Sequence, residues 1–365
     1  MRAFVRLSVA TSAAVLFLVP GVAHAGGGAS PPVLSDPIAT GLAGPLQIAV
    51  GERGDVYVAQ DFAGVLTRID RRGNQSVIAA NPGGEIAGVD VEDGKVVYTS
   101  AVGDQTGFTV GQLNKIERDG SSSVVADVLA YEQRTNPDQV YSYGFETLTP
   151  ECAAQWPVDQ AGPPQYTGQV DSHAYAVAIA DGHRYIADAG GNTILDVTRN
   201  GKIRTVAVLP PQPIVVPVEV AAGLGAPACA GLTYGFEAVP TDVEVGRDGM
   251  LYVTTLPGGP EDPSLGARGS VYRVNPWNGN ARRIATGFLG ATNLAIGRGG
   301  AIYVTELFAG RISRVVRGGP EPVIELASPA ALEYADGKLY VSYDVFANGS
   351  VATISVGGGR DHGDW

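Results

Sequence analysis

The stretch Val245-Gly-Arg-Asp-Gly-Met-Leu-Tyr-Val-Thr-Thr255 places a glycine turn between two apolar segments, the second of which carries a Tyr. An Asp-Gly pair between alternating apolar runs predicts a β-hairpin, because Gly adopts a positive φ without a Cβ clash. The same pattern returns at residues 50–57, 91–98, 179–185, 296–303 and 334–340. Copies of one hairpin, each with a Tyr at the matching place, predict a repeat protein.

Each copy is followed by two further apolar segments. In the fourth copy the predicted strands are Thr241–Gly246, Met250–Thr255, Ser270–Asn275 and Ala281–Thr286. Four antiparallel strands that recur in this way are typical of β-propeller blades. The sequence therefore predicts an all-β, six-bladed β-propeller of four-stranded antiparallel blades in one domain, residues 36–356. A β-sandwich is the competing architecture, but it would not repeat its own turn sequence.

The two ends of this domain complement each other. The segment Ile38-Ala-Thr-Gly-Leu-Ala-Gly44 matches Ile284-Ala-Thr-Gly-Phe-Leu-Gly290, which ends the fourth repeat. Residues 36–41 therefore resemble an outer strand placed before the first blade, while the last repeat lacks its fourth strand. We expect the N-terminal strand to complete the last blade and to remove an exposed sheet edge.

The first 25 residues have the pattern of a Sec-type signal peptide. Arg2 and Arg6 precede an apolar run from Leu7 to Val19, and Ala23-His-Ala25 provides a small-residue cleavage site. We expect cleavage after Ala25, a secreted or periplasmic protein, and no membrane insertion of the mature chain. The flanking segments predicted to lack structure are a disordered leader, residues 26–35, and a flexible tail, residues 357–365.

Composition limits the classes of partner. The formal net charge is −12, and 45% of the residues are hydrophobic against 17% charged. An acidic chain is a poor match for phosphate backbones or anionic membranes, so we expect no nucleic-acid partner. The partners left open are a small molecule, a glycan or a protein, and we expect a monomer.

Three stretches break the repeat and are predicted to lie on one face of the propeller: residues 128–171, 209–239 and 257–269. Loops on a rigid scaffold commonly carry function. Cys152 lies in the first stretch and Cys229 in the second, and these are the only cysteines. Since export permits disulfides, we predict a bond between them.

The first two stretches also share a motif, Tyr143-Gly-Phe-Glu146 and Tyr234-Gly-Phe-Glu237. Either both copies pack as equivalent plugs against neighbouring blades, or their glutamates face a shared site. Packing is the favoured interpretation, because a glutamate with no identified partner is normally solvated.

The first strand of each blade begins at the channel, so its first residues can form a ring. Alignment of the repeats gives this ring as Gln47, Gly88, Ala176, Asp242, Asn293 and Ala331. Oxygens of Gln47, Asp242 and Asn293 suit a hard cation such as Ca²⁺. The alternative is that these groups cap strand ends or bind channel waters, as buried polar groups normally do.

Three further residues are candidates at the face that carries the insertions. His173, just before the third blade, can reach this face, but one His cannot make a His-based zinc site. Asp188 and Glu306 each follow a second strand, either as acids or, as we favour, as hydrogen-bond acceptors for loops.

Four segments carry a family resemblance: 185–195, 205–211, 239–249 and 285–297. The most specific motif in them is Asp188-Ala-Gly-Gly-Asn192. On these segments the chain resembles the ScyD/ScyE family, exported propellers related to the NHL and SMP-30/gluconolactonase group. The resemblance implies no defined activity. The related lactonases imply a divalent metal held by a Glu, two Asn-type residues and an Asp, and of that set only Asp242 and Asn293 have counterparts here.

The favoured function is therefore a non-catalytic binding or scaffold protein that uses the face with the insertions, with no catalytic residue assigned. The alternative is a metal-dependent lactonase or ester hydrolase that acts at the channel, with Ca²⁺ or another divalent cation at Asp242 and Asn293. The ring separates the two, because half of its positions are glycine or alanine.

Overall fold

The computed structural model describes residues 31–104, 107–117, 119–317 and 319–356. The predicted signal peptide and the tail at 357–365 lie outside these residues. The strands of the first half, in chain order, are β1 (Val33–Leu34), β2 (Ala39–Leu42), β3 (Pro45–Val50), β4 (Val56–Gln60), β5 (Val65–Ile69), β6 (Gln75–Ala80), β7 (Glu85–Glu92), β8 (Lys95–Asp104), β9 (Gly107–Ile116), β10 (Ser122–Asp127), β11 (Ser142–Phe145), β12 (Gln165–Thr167), β13 (Ala174–Ala180), β14 (His183–Asp188), β15 (Thr193–Thr198) and β16 (Ile203–Val208).

The strands of the second half are β17 (Gln212–Val215), β18 (Thr233–Phe236), β19 (Ala238–Val245), β20 (Leu251–Pro257), β21 (Gly269–Val274), β22 (Ala281–Phe288), β23 (Ala291–Ile296), β24 (Ile302–Glu306), β25 (Arg311–Val316), β26 (Gly319–Glu325), β27 (Leu332–Ala335), β28 (Lys338–Tyr343) and β29 (Gly349–Ser355). The helices are α1 (Val128–Thr135), α2 (Pro150–Gln155), α3 (Val158–Ala161) and α4 (Val218–Gly223). None of the helices in the described ranges has the length and apolar run needed to cross a bilayer.

The fold is nearly all-β and consists of antiparallel sheets, consistent with a β-propeller. Five sheets follow one another along the chain, which we number sheet 1 (β3–β6), sheet 2 (β7–β10), sheet 3 (β13–β16), sheet 4 (β19–β22) and sheet 5 (β23–β26). Sheet 6 contains β27–β29, and β29 also pairs with both β1 and β2. The first strands contact each other in the order β3, β7, β13, β19, β23, β27 and again β3.

The N-terminal strand lies slightly later than predicted. Residues 36–41 were expected to pair, and the observed strand is Ala39–Leu42, in register with Val351 and Gly349 of β29. The leader at 26–35, predicted to be disordered, contains β1, whose Val33 lies opposite Ser355. The pairing with β29 thus begins at β1, before the segment 36–41 that resembles an outer strand.

The repeated hairpins use two kinds of turn. Asp93, Asp181 and Asp336 have φ values of 53°, 51° and 51°, and a glycine with positive φ follows each of them. Two such residues in succession make the tight hairpin turn that Asp-Gly predicts. In the copy around Asp248 only Gly249 has a positive φ, because the Asp248 carboxylate accepts from Met250 N at 3.1 Å and holds a longer turn. The second strand there is accordingly Leu251–Pro257 rather than Met250–Thr255.

The repeated Tyr residues fill the space between sheets. Tyr252, for example, is 8% exposed and packs in an apolar cluster with Leu294 and Val304 of the next sheet. The clusters that contain the other hairpin Tyr residues likewise join neighbouring sheets. A Tyr fits this wedge because its ring is apolar while its hydroxyl reaches polar surroundings. The repeat of the Tyr is therefore a packing requirement.

The first two insertions form a further sheet, in the order β12-β11-β18-β17, which we call the insertion sheet. The two copies of Tyr-Gly-Phe-Glu are its central strands, with Gly144 opposite Gly235. They pack against each other rather than as separate plugs on neighbouring blades. The predicted disulfide is confirmed: Cys152 and Cys229 are bonded, with a Cα–Cα distance of 4.7 Å.

The third insertion contacts the second. Gly258 N donates to Glu237 O at 2.8 Å, and the ring of Phe236 lies against Gly259. Gln212 Nε2 in β17 also donates to Thr255 Oγ1 at 3.2 Å, which ties the insertion sheet to sheet 4. All three irregular stretches are therefore connected to one another.

Candidate functional site

The polar members of the predicted ring meet in one hydrogen-bond network. Asn293 Nδ2 donates to Gln47 Oε1 at 2.7 Å, and Gln47 Nε2 donates to Thr241 O at 3.3 Å. Leu332 N donates to Asn293 Oδ1 at 2.8 Å. Leu294 N donates to Asp242 Oδ2 at 2.9 Å. Asp242 and Asn293 thus bind the backbone of the following sheet, whereas Gln47 binds the backbone of β19 in sheet 4.

Gly88 shows why the ring is small at other positions. A Cβ on Gly88 would lie 2.9 Å from Ala176 Cα and 2.9 Å from Thr99 Oγ1. The first strands of sheets 2 and 3 approach too closely for a side chain. Position 88 cannot supply a ligand, because the close contact between these two strands requires a glycine there.

A second layer of side chains lies two residues further along the first strands. Asp90, Glu244 and Glu333 occupy it, and because side chains alternate along a strand they face the same side as the ring. Burial raises the pKa of Asp90 to about 6. Burial, and then the charge of Glu333, raises the pKa of Glu244 well above its usual range. Burial, and then the charge of Asp90, raises the pKa of Glu333.

The charge of Asp242 interacts with those of Asp90, Glu244 and Glu333. Its pKa is raised mainly by burial, and the charge of Asp90 adds to the effect although Leu294 N and Gln47 bind the carboxylate. We call Asp90, Asp242, Glu244 and Glu333 the channel carboxylates. Of these four, the sequence predicts only Asp242, because the predicted ring takes one residue from each first strand. The two-residue period of a β-strand was the signal that could have found the others.

His173 immediately precedes β13 and forms an ion pair with Glu85 through Nε2. The Phe108 ring stacks on the imidazole at a centroid distance of 4.4 Å, and Tyr175 meets it edge-on at 5.4 Å. Desolvation lowers the pKa of His173, but the charge and hydrogen bond of Glu85, followed by Asp61, outweigh it and raise the pKa to about 9. His173 is therefore an imidazolium at neutral pH.

Asp188 holds the backbone that carries His173. Its Oδ1 accepts from His173 N at 2.7 Å and from Gly191 N at 3.1 Å, and its Oδ2 accepts from Ser172 Oγ at 2.7 Å. The side chain is 0% exposed. Its carboxylate thus has a positioning role, and the motif Asp188-Ala-Gly-Gly-Asn192 forms the turn around it.

Glu306 has the corresponding place in sheet 5. It accepts from Leu289 N at 2.8 Å, from Arg311 Nε at 2.7 Å and from Ser313 Oγ at 2.5 Å. The structure therefore places Glu306 as a hydrogen-bond acceptor for a loop, away from the cluster around His173.

Two further acids complete the cluster. Asp61 follows β4, and its Oδ1 is buried without a hydrogen-bond partner among the described residues. Burial and the charge of Glu85 raise the pKa of Asp61. Glu261, in the third insertion, reaches solvent, yet desolvation raises its pKa while the charge of His173 lowers it. We call His173, Glu85, Asp61, Glu261 and Tyr175 the mouth cluster; sheets 1, 2 and 3 and the third insertion contribute to it.

Within the described ranges, no group of three or more His, Cys, Asp or Glu residues is arranged to hold a metal ion. Two surface pockets lie outside the mouth cluster, one lined by Tyr131, Arg134 and Lys202, the other by Arg53 and Arg68. Both are open depressions between charged side chains, unlike the enclosed apolar clefts that commonly bind small molecules. The mouth cluster and the channel carboxylates are therefore the sites with unusual chemistry.

Comparisons with known proteins give the fold and no family. No family model matches the chain, and no curated protein matches it. Among solved structures, the PQQ-bound aldose sugar dehydrogenase of Streptomyces coelicolor has a TM-score of 0.56 at 13% identity, covering 89% of this chain and 98% of that one.

Two further structures show the same similarity. A gluconolactonase from Xanthomonas campestris has a TM-score of 0.54 at 10% identity, over 91% of this chain and 99% of that one. A streptogramin B lyase has a TM-score of 0.51 at 15% identity, over 89% and 98%. The chain thus shares the β-propeller fold of gluconolactonase-like and lyase propellers, and the resemblance to the ScyD/ScyE family is not confirmed.

Proposed function

We propose that the chain is an exported β-propeller that binds a small, positively charged molecule at the mouth cluster, above the channel carboxylates. The observation that carries this proposal is the excess of acids over bases: Asp61, Glu85 and Glu261 surround a single imidazolium. The channel carboxylates add further acids below them. A raised carboxyl pKa means that the folded protein provides too little positive charge to stabilise the ionised carboxylate. A bound cation would provide that positive charge.

The proposed scaffold is a closed ring of six blades over residues 36–356. The cyclic contacts among the first strands support it, as does the pairing of β2 with β29. Closure places the first strands around one axis, so acids on different sheets share one channel. The three insertions would then surround the mouth that the ligand enters.

Export is supported by the disulfide between Cys152 and Cys229, since such bonds persist in oxidising compartments. Tyr175 within the mouth cluster and Phe108 beside it suit an organic cation, because aromatic faces attract ammonium groups. Binding should also release protons, since a cation lowers the pKa of each carboxyl it approaches.

The test uses the mature chain, residues 26–365, with its disulfide intact. Thermal shift assays with ammonium, choline and spermidine, and with neutral sugars and lactones for comparison, would show which class binds. Calorimetry in two buffers of different ionisation enthalpy would then count the protons released. We expect an organic cation to raise the Tm, with an affinity that increases as the pH rises from 6 to 8.

A matched pair of variants separates the site from the rest of the charge. Asp61 follows β4 and Asp55 precedes it, so the two acids lie at opposite ends of one strand. Asp61→Asn should weaken cation binding at least tenfold, whereas Asp55→Asn, which loses the ion pair with Arg68, should leave it unchanged. Equal effects of both variants, or binding of neutral lactones alone, would refute the proposal.

The second candidate is a metal-dependent lactonase or ester hydrolase. The convergence of Gln47, Asp242 and Asn293 in one network favours it, and a gluconolactonase is among the proteins with a similar fold. Metal analysis of the purified protein, with assays on a panel of lactones, tests it. Stoichiometric Ca²⁺ or Zn²⁺ together with hydrolysis that Asp242→Ala abolishes would establish this candidate in place of the first.

A further inference from the structure

A second group of buried oxygens lies between the first insertion and sheet 3. Glu132 of α1 and Asp138, in the short helical turn Pro137–Val140, are both 0% exposed. Asn192 and Thr193, where the turn after β14 enters β15, are also 0% exposed. The group therefore combines two carboxylates, an amide and a hydroxyl away from water.

Two of these oxygens have no hydrogen-bond partner in the part of the chain that the structure describes. They are Asn192 Oδ1 and Thr193 Oγ1. The orientation of the Asn192 amide is fixed, because its Nδ2 donates to Asp138 Oδ2 at 2.8 Å. Buried polar atoms are normally hydrogen-bonded or bound to water or an ion. These two oxygens thus point to a bound species.

Gly191 shows that oxygens of Glu132, Thr193 and Asp171 face one space, next to the hydrogen-bonded pair Asp138 and Asn192. A methyl group at its Cβ position would lie 3.2 Å from Glu132 Oε2, 3.4 Å from Thr193 Oγ1 and 3.5 Å from Asp171 O. A carboxylate, a hydroxyl and a backbone carbonyl therefore face the same point from three segments of the chain. The absence of a side chain at Gly191 keeps that space open.

We propose that this group is a calcium site, which joins Glu132, Asp138, Asp171 O, Asn192 Oδ1 and Thr193 Oγ1. Calcium takes six to eight oxygen ligands from carboxylates, amides and carbonyls in flexible geometry. All donors here are oxygens, which disfavours zinc and copper, and Mg²⁺ prefers to keep several of its waters. The two carboxylates match the charge of one divalent cation.

The site would order the mouth cluster without belonging to it. The turn that supplies Asn192 also contains Gly191, whose N–H binds Asp188, and Asp188 holds His173. A cation at this place would fix α1 of the first insertion against that turn. The inference does not depend on which ligand the mouth cluster binds.

The experiment uses the mature, disulfide-bonded chain after treatment with EDTA. Calorimetric titration with CaCl₂ should give one site per chain, and saturating Ca²⁺ at a hundred times Kd should raise the Tm by about 5 °C. Tb³⁺ luminescence, excited through aromatic residues, gives an independent readout, because Tyr143 Oη lies 3.5 Å from Asp138 Oδ2.

Three variants locate the ion. Glu132→Gln should reduce the Ca²⁺ affinity at least tenfold, whereas Glu146→Gln, which removes an exposed glutamate of the same insertion, should not change it. Asp242→Asn tests the channel instead and should have no effect. Absence of Ca²⁺ binding by the wild type, or loss of binding in Asp242→Asn alone, would overturn the proposal.

Thr193→Val keeps the shape of the side chain and removes only its oxygen, so it decides the case if Glu132→Gln does not fold. A tenfold or larger loss of Ca²⁺ affinity in Thr193→Val supports a ligand. Unchanged affinity with an equal or higher Tm would instead mean that Thr193 is only a buried side chain, and the proposed set of ligands would be wrong.

Discussion

Replacement of Asp188 by Ala should destabilise the protein and displace His173. The buried carboxylate accepts from His173 N and Gly191 N and from the Ser172 hydroxyl, at 2.7, 3.1 and 2.7 Å. The variant leaves all three donors without this partner. Hydrogen bonds to charged groups contribute about 1.5–3 kcal/mol each, but removal of the carboxylate also recovers its desolvation free energy. We therefore expect a net loss of about 3 kcal/mol in the free energy of unfolding.

That loss is a large fraction of the stability of a typical domain, which is about 5–15 kcal/mol. At about 2 °C per kcal/mol for a long chain, it lowers the Tm by about 6 °C. Differential scanning calorimetry measures this shift. NMR titration of the His173 imidazole reports the displacement, because its pKa of about 9 depends on the nearby charges of Glu85 and Asp61.

Two variants sharpen the result. Asp188→Asn keeps one oxygen for the two N–H donors, and the Ser172 hydroxyl can rotate to accept from the amide, so its effect should be less than half that of Asp188→Ala. Asp70→Ala removes a carboxylate that also accepts N–H bonds, but from an exposed turn, and should change the Tm far less. The reasoning fails if Asp188→Ala melts within about 1 °C of the wild type or if the His173 pKa does not move.

Three other predictions concern the disulfide, Glu85 and Glu244. Reduction of the bond between Cys152 and Cys229, 77 residues apart, should lower the free energy of unfolding by about 4 kcal/mol; a calorimetric difference below 1 kcal/mol would contradict the chain-entropy argument. Because the pKa of His173 is raised, the stabilisation from its protonated form is complete below pH 6.5 and is lost as the pH rises through about 9. Glu85→Gln should therefore make the Tm less dependent on pH between 6.5 and 9. An unchanged slope of Tm against pH would show that Glu85 is not the cause of the raised pKa. Glu244→Gln should raise the Tm at pH 8, because burial and the charge of Glu333 both oppose ionisation of the carboxylate that the variant removes. A lower Tm at that pH would mean that other groups in the folded protein stabilise the ionised carboxylate.

The sequence predicted those parts of the fold that depend on local pattern. Glycine turns and the periodic Tyr residues identified the sheets, and a sequence with two cysteines left one possible pairing. The insertion sheet was not predicted, because pairing of Gly144 with Gly235 depends on how sheet 3 brings two distant segments together. The only sequence signal for this sheet is the repeated motif Tyr-Gly-Phe-Glu, which by itself favours two separate plugs that pack against neighbouring blades.

The candidate site was predicted only in part. Asp242, Asn293 and Gln47 do meet, but the sequence alone does not show that backbone N–H groups occupy two of their oxygens. His173 was identified, whereas Glu85 and Asp61 were not, because they lie on other sheets and carry no motif. Pairs of acids on different sheets are brought together by the packing of those sheets, which residue spacing does not encode.

The pairing of β2 with β29 has a consequence for synthesis. Thr353 N binds Ser35 Oγ, 318 residues earlier in the chain. A chain made from its N-terminus holds β1 and β2 without their partner until the last segment emerges, and contacts of such long range form slowly. The pairing of β1 and β2 with β29 can therefore form only in a full-length chain, and a truncated product leaves these strands unpaired, where quality control and proteases can recognise them.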